Sequence, residues 1–161
     1  MNPKKQFRAM FDTNIYQSLY DAHQEKILKL VQSGKLVVYG CKTIRDELRD
    51  IPKHVKYDGK GLRNLLLQIY DGLVKNHSYP VGKPIETLAE EYWSDYQGGV
   101  SKRKIFPDFL IVATATIHKL DIIVSHDDKT MKSKVAIKAY KKTNERNGFE
   151  TPDFIPLEKL N

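Results

Sequence analysis

The chain has 161 residues, 40% of them hydrophobic, which suits one domain with its own core and excludes a disordered tail. No apolar run approaches the ~20 residues of a membrane span, and the lone Cys41 excludes an internal disulfide. The formal charge is +7, from 27 Lys and Arg against 20 Asp and Glu, and it favours a polyanionic partner such as nucleic acid.

The opening residues MNPKKQFRAMFD carry charge but no apolar signal region, so a cytoplasmic location is expected. Phe7 to Phe11 reads as a first strand, closed by Asp12-Thr13-Asn14, which can cap the next helix. That helix is predicted from Asn14 or Ile15 to Val31, stopped by Ser33-Gly34. Leu36 to Tyr39 reads as a second buried strand, with Cys41 a small buried residue just beyond it. A short helix from Ile44 to about Ile51 ends near Pro52, and a basic loop comes after it. Further helices are predicted from about Gly61 to Leu73 and from Ile85 to Tyr96, with loop between them from Asn76 to Pro84.

Gln97 to Lys104 reads as a flexible basic loop. Its Gly98-Gly99-Val100-Ser101-Lys102 stretch lacks the spacing of a phosphate-binding P-loop and comes after a helix, not a strand. Then comes the segment around which the chain is organised, Phe106 to Asp128. Pro107 and Asp108 are predicted to open a helix, because Pro suits the first helical position and Asp the positive end of the dipole. From Phe109 to Ile117 only Thr114 and Thr116 interrupt the apolar run, the pattern of a helix buried on all sides. Ile122-Ile123-Val124 reads as a strand covered on both faces. A basic helix from about Lys132 to Thr143 and a short extended piece near Phe149 to Leu157 complete the chain. Strands alternating with helices predict a three-layer α/β/α sandwich around a mainly parallel sheet, in a single domain spanning 1–161.

Carboxylates recur just beyond these strands or on helices leaving them: Asp12, Asp46 and Glu47, Asp108, Asp127 and Asp128. Gathered at one sheet edge they would repel one another unless a cation intervened, and hard oxygen donors select Mg2+ or Mn2+. At about 100° per residue Glu47 lies about 60° from the apolar face set by Ile44, Leu48 and Ile51, while Asp46 lies nearly opposite. Glu47 is therefore expected to face the site, and Asp46 to form a capping box with Thr43.

Four blocks resemble the PIN-domain nucleases: Phe11 to Asn14, the TIRDEL segment with Glu47, Pro107 to Ala115, and Val124 to Asp127. They occur in that family's order and span nearly the whole chain. The resemblance, which extends to VapC-like and PilT N-terminus-like proteins, implies a PIN-like fold and metal-dependent hydrolysis of RNA phosphodiester bonds. It maps Asp12, Glu47, Asp108 and Asp127 onto the metal-binding acids, and Thr13, Asn14 and Ser125 onto supporting positions. Asp128 duplicates the last acid, so a shift of one residue stays open. Many members are toxins held silent by a small antitoxin protein, and many form homodimers; others process RNA.

Lys102, Arg103 and Lys104 before the Pro107-Asp108 pair, and Lys129 and Lys132 after Asp128, are the expected contacts to the RNA backbone. His126 reads as a loop residue, and Tyr92, Trp93 and Tyr96 as core, with base stacking as the alternative. Two rivals are a non-catalytic RNA-binding domain and an Asp-dependent phosphotransferase, whose Asp-x-Asp-x-Thr signature is absent after Asp12.

Overall fold

Three apolar runs become the middle of a five-stranded parallel sheet in this computed structural model, which describes residues 5–160. The first part of the expectation about the N-terminus therefore lies outside the described residues. The strands are β1 (Phe7–Phe11), β2 (Leu36–Cys41), β5 (Ser78–Tyr79), β6 (Ile122–Val124) and β7 (Asp153–Ile155), in the order β5-β2-β1-β6-β7. The chain steps outward from β1 through β2 to β5, then returns to the other side of β1 for β6 and β7. Right-handed crossovers then place the helices of the outward run on one face and those of the return run on the other. The reversal leaves a crevice at the carboxyl ends of β1 and β6, the place where open α/β sheets take ligands.

The first face carries α1 (Ile15–Ser18), α2 (Gln24–Gln32) and α4 (Leu62–Val74). Phe11 meets Tyr16 at 6.3 Å between ring centres, and Tyr16 meets Tyr70 at 5.4 Å. Gly40 lets Tyr70 lie close over β2, since a Cβ there would stand 2.1 Å from its hydroxyl oxygen. The second face carries α5 (Lys83–Asp95), α6 (Lys102–Ile117) and α7 (Lys134–Asn147). Tyr92, Phe109 and Tyr140, one from each helix, pack edge to face at 5.0–6.1 Å, and Tyr140 stacks on Phe154 of β7. Aromatic clusters of this kind bury large areas and fix helix positions through geometry. The expected α/β/α sandwich is the observed one. No helix among the described residues is long and apolar enough to cross a membrane.

Several local expectations are corrected. The predicted helix from Asn14 to Val31 is interrupted by a π-helical segment, Leu19–His23, between α1 and α2. Asp46 makes no capping box, because α3 (Lys42–Arg49) starts with Cys41 at its cap and Asp46 pairs with Lys42 one turn back. Lys102 to Lys104 are not loop but the first turn of α6, which makes Pro107 the sixth residue of that helix, not the first. Lys102 is held there by Glu90 at 2.7 Å and lies over the Phe106 ring. Pro107 deprives the Arg103 carbonyl of a helical donor and crowds it with its ring, but Arg103 is exposed near the helix start, where water can serve it. β5 forms within the stretch read as loop, and a hairpin, β3 (Lys56–Tyr57) and β4 (Lys60–Gly61), forms within the basic loop. The extended piece near the C-terminus is β7, paired in parallel with β6.

Candidate metal centre

Asp12 stands at the end of β1, where its amide donates to the Val124 carbonyl of β6 at 2.9 Å. Its side chain is almost fully buried at 5% exposure. Two donors hold it: the Ser125 hydroxyl reaches Oδ2 at 2.7 Å, and the Thr13 amide reaches Oδ1 at 2.8 Å. The Ser125 bond spans the crevice between β1 and β6. Burial, with the negative charge of Asp127 nearby, still raises the Asp12 carboxyl above its ordinary value.

Asp127 stands two residues after Ser125, and its amide donates to the Ser125 hydroxyl at 3.0 Å. Its carboxylate accepts from the amides of Lys129 (3.1 Å) and Thr130 (2.9 Å) and from the Thr130 hydroxyl. Burial pushes this carboxyl upward, yet these donors outweigh it and hold it below the usual range. Asp128 points away: its side chain is 79% exposed and pairs with Lys132 at 2.6 Å. The structure thus places Asp127 beside Asp12 and turns Asp128 to solvent.

Glu47 comes from α3 on the far side of β1. The Thr13 hydroxyl donates to its Oε1 at 3.2 Å. Burial and the neighbouring Asp12 charge push its carboxyl up to about 7. Asp108 comes from the second turn of α6, too far along to serve as a cap. Burial, with the charges of Asp12, Asp127 and Glu47, raises it to about 7 against the opposing effect of the Thr130 hydroxyl. Four carboxyls from β1, α3, α6 and the loop after β6 thus share one electrostatic environment. An open groove of about 460 Å3 reaches Glu47 between α3, α5 and α6, with Val81, Pro107 and Leu110 forming its apolar wall.

Among the described residues no group of three or more His, Cys, Asp or Glu side chains is placed to hold an ion by itself. Mg2+ does not require one, because it keeps several waters and takes one or two carboxylates together with substrate phosphates. The oxygen-only donors fit such an ion, and a cation would favour the charged forms of Glu47 and Asp108, which burial and the neighbouring acids disfavour.

The remaining expected residues are spread more widely. Asn14 is exposed at the start of α1 and makes no capping bond. Arg103, Lys104 and Lys129 are exposed, whereas Lys102 and Lys132 are engaged with Glu90 and Asp128. Tyr92 is buried and donates to Asn144 at 2.7 Å, so it is core. Cys41 is also core, its thiol pushed up to about 12 by burial. His126 sits in the loop, 3.8 Å from Glu158. Thr130, which no sequence signal singled out, is buried and touches both Asp127 and Asp108. The fully buried Tyr140 steadies that loop by donating to the Met131 carbonyl at 2.8 Å.

No protein-family model matches the sequence, and no curated protein matches it. Solved structures do match in shape. One is FitAcB from Neisseria gonorrhoeae, with 16% identity, 94% of this chain and 99% of that chain covered, and a TM-score of 0.59. Another is FitAB bound to an IR36 DNA fragment, with 15% identity, 95% and 97% coverage, and a TM-score of 0.58. A third is VapBC2 from Rickettsia felis bound to a DNA fragment from their promoter, with 11% identity, 93% and 98% coverage, and a TM-score of 0.56. With its β5-β2-β1-β6-β7 parallel sheet, helices on both faces and end-to-end overlap with these structures, the chain has the PIN-like fold.

Proposed function

We propose that the chain is a Mg2+- or Mn2+-dependent endoribonuclease. The observation that carries this reading is the meeting of Asp12, Glu47, Asp108 and Asp127 at the crevice between β1 and β6, with two of the four carboxyls raised to about 7. These four residues would hold the divalent cation, which supplies activation of a water and neutralisation of charge at the phosphate. Ser125 and Thr13 orient the Asp12 carboxylate, and Thr130 orients Asp127, so the strand-end donors are preorganised before any ion arrives. With their carboxyls raised to about 7, Glu47 and Asp108 would give up protons on holding the cation.

The test is cleavage of labelled single-stranded and structured RNAs with Mg2+, Mn2+ or EDTA, wild type beside Asp12→Asn. Cleavage that needs both the cation and Asp12 is the expected result. Full activity in the variant would overturn the site assignment.

A second reading is a non-catalytic RNA-binding domain. The observation in its favour is that Asp12 and Asp127 are already satisfied by protein donors. RNA binding without cleavage under either cation would select it. The two-component complexes of similar fold, FitAB and VapBC2, support a small antitoxin-like protein partner and a toxin role for this chain. A homodimer belongs to the same proposal, and co-purification with the product of a neighbouring short reading frame tests the partner.

A further inference from the structure

Between Arg49 and Arg63 the chain carries five Lys or Arg residues and only two acids. The middle of this stretch is the β3–β4 hairpin. Asp58 and Gly59 both have positive φ (53° and 75°), the geometry of a two-residue hairpin turn for which Asp-Gly is suited. The hairpin is braced against the π-helical segment: the Tyr57 hydroxyl donates to Asp21, the Tyr20 hydroxyl donates to Asp58 at 3.0 Å, and the two rings meet edge to face at 5.9 Å. Asp58 of the hairpin and Asp21 facing it are thereby bonded to tyrosines, while Asp50, the other acid of the stretch, is exposed.

The cations are not matched in this way. Among the described residues none of Arg49, Lys53, Lys56, Lys60 and Arg63 forms an ion pair. Elsewhere several basic residues are paired: Lys102 with Glu90, Lys132 with Asp128, and Lys142 and Arg146 with Asp95. Lys53, His54, Lys56 and Lys60 are all exposed. Lys53, Arg63 and Asn64 line a notch of about 260 Å3 that no carboxylate enters. By contrast the groove beside Glu47 is lined by Asp46, Asp50 and Glu86 and suits a polyanion poorly. Unpaired, exposed cations on a braced arm cost least to commit to phosphates, because no existing bond must break.

The arm also stands near the acids. α3 carries Glu47 and leads directly into it, and six residues from Glu47 to Lys53 span at most roughly 20 Å of extended chain. The brace joins it to the segment after α1, whose first residue lies three positions after Asp12.

We propose that the β3–β4 arm, through Lys53, Lys56, Lys60 and Arg63, holds the phosphate backbone of the RNA strand presented to the acidic site. The choice of RNA as the polyanion rests on the ribonuclease reading. The placement of the arm does not.

The test is binding of a labelled single-stranded RNA in EDTA, read by fluorescence anisotropy across a salt series. The proteins are the full chain, the triple variant Lys53→Ala/Lys56→Ala/Lys60→Ala, its Lys→Arg counterpart, and a control triple on α7, Lys134→Ala/Lys138→Ala/Lys141→Ala. Loss of three phosphate contacts lowers the slope of log affinity against log salt by about 2, with about tenfold or greater loss of affinity at low salt. The arginine counterpart keeps wild-type binding, and the α7 triple keeps the wild-type slope. An unchanged slope in the arm triple, or equal loss in the α7 triple, overturns the proposal. So does an absence of salt-dependent RNA binding, or tighter binding of duplex DNA. A cleavage assay on the same proteins separates the two readings. RNA bound through the arm but never cleaved sinks the ribonuclease and spares the arm; undiminished cleavage and affinity in the arm triple does the reverse.

Discussion

The two halves of the acidic site are built differently. The strand-end half, Asp12 and Asp127, is surrounded by donors from its own loops: Thr13, Ser125, Lys129 and Thr130. The helix-borne half, Glu47 and Asp108, has one hydroxyl each and otherwise faces burial and negative charge, which lift both carboxyls to about 7. Strand ends are fixed by sheet pairing, so donors can be aimed at them in advance. The side chains on α3 and α6 bring charge with a single hydroxyl donor each. The first half is preorganised, and the second holds the repulsion that a cation removes.

The largest expected effect comes from removing a carboxylate in either half. Asp12→Asn and Asp108→Asn each lower metal-dependent RNA cleavage by more than about 100-fold, since ligand-orienting residues alone cost 10–100-fold. Equal and small losses at both positions would erase the distinction from water-mediated surface acids. Next is Thr130→Val, which removes the hydroxyl shared by Asp127 and Asp108. It lowers Mn2+ affinity, read by calorimetry, by about 10–100-fold, and Thr130→Ser restores most of it. A valine variant with unchanged affinity would reduce Thr130 to a loop residue.

The helix-borne half also carries the larger dependence on pH. A carboxyl raised on folding binds its proton more tightly in the native state. The ion-free protein therefore loses stability as pH rises from about 4 to about 7, the window between the ordinary and the raised values. Asp108→Asn removes its share. At pH 8 without divalent ions its melting temperature is expected to exceed wild type by about 4–8 °C, corresponding to about 2 kcal/mol, and at pH 4 the two proteins converge. A variant that melts lower than wild type at pH 8 would contradict the cost of this buried carboxylate among its acidic neighbours. Smallest is Ser133→Ala, outside both halves. It removes the hydroxyl that accepts from the Ala136 amide at the start of α7, costing about 1 kcal/mol in denaturant unfolding and leaving cleavage unchanged.

Much of this arrangement was legible in the sequence. The apolar runs at Phe7, Leu36 and Ile122 are long enough to declare central strands, and the unbroken run after Asp108 declares a buried helix. The angular position of Glu47 follows from helical periodicity alone. The elements missed have physical reasons. β5 and the β3–β4 hairpin have two residues per strand, too few for any alternation to appear. The Asp58-Gly59 turn was the readable sign of the hairpin, and it lay within a stretch whose charge suggested loop. Pro107 suggested a helix start because that is its commonest helical place. Only the anchoring of Lys102 by Glu90 and Phe106 carries the helix a turn and a half further back. Thr130 had no periodic or motif signal at all, since a single threonine in a polar loop acquires meaning only when folding sets it between two acids.

The central claim is that both halves form one divalent-cation site, and calorimetric titration of Mn2+ at pH 7 in two buffers of different ionisation enthalpy tests it most directly. Glu47 and Asp108, each about half protonated, should together release about one proton as a saturable site fills, and Asp108→Asn should abolish much of that release. Saturable binding with no proton release, or no saturable binding at all, would contradict the account.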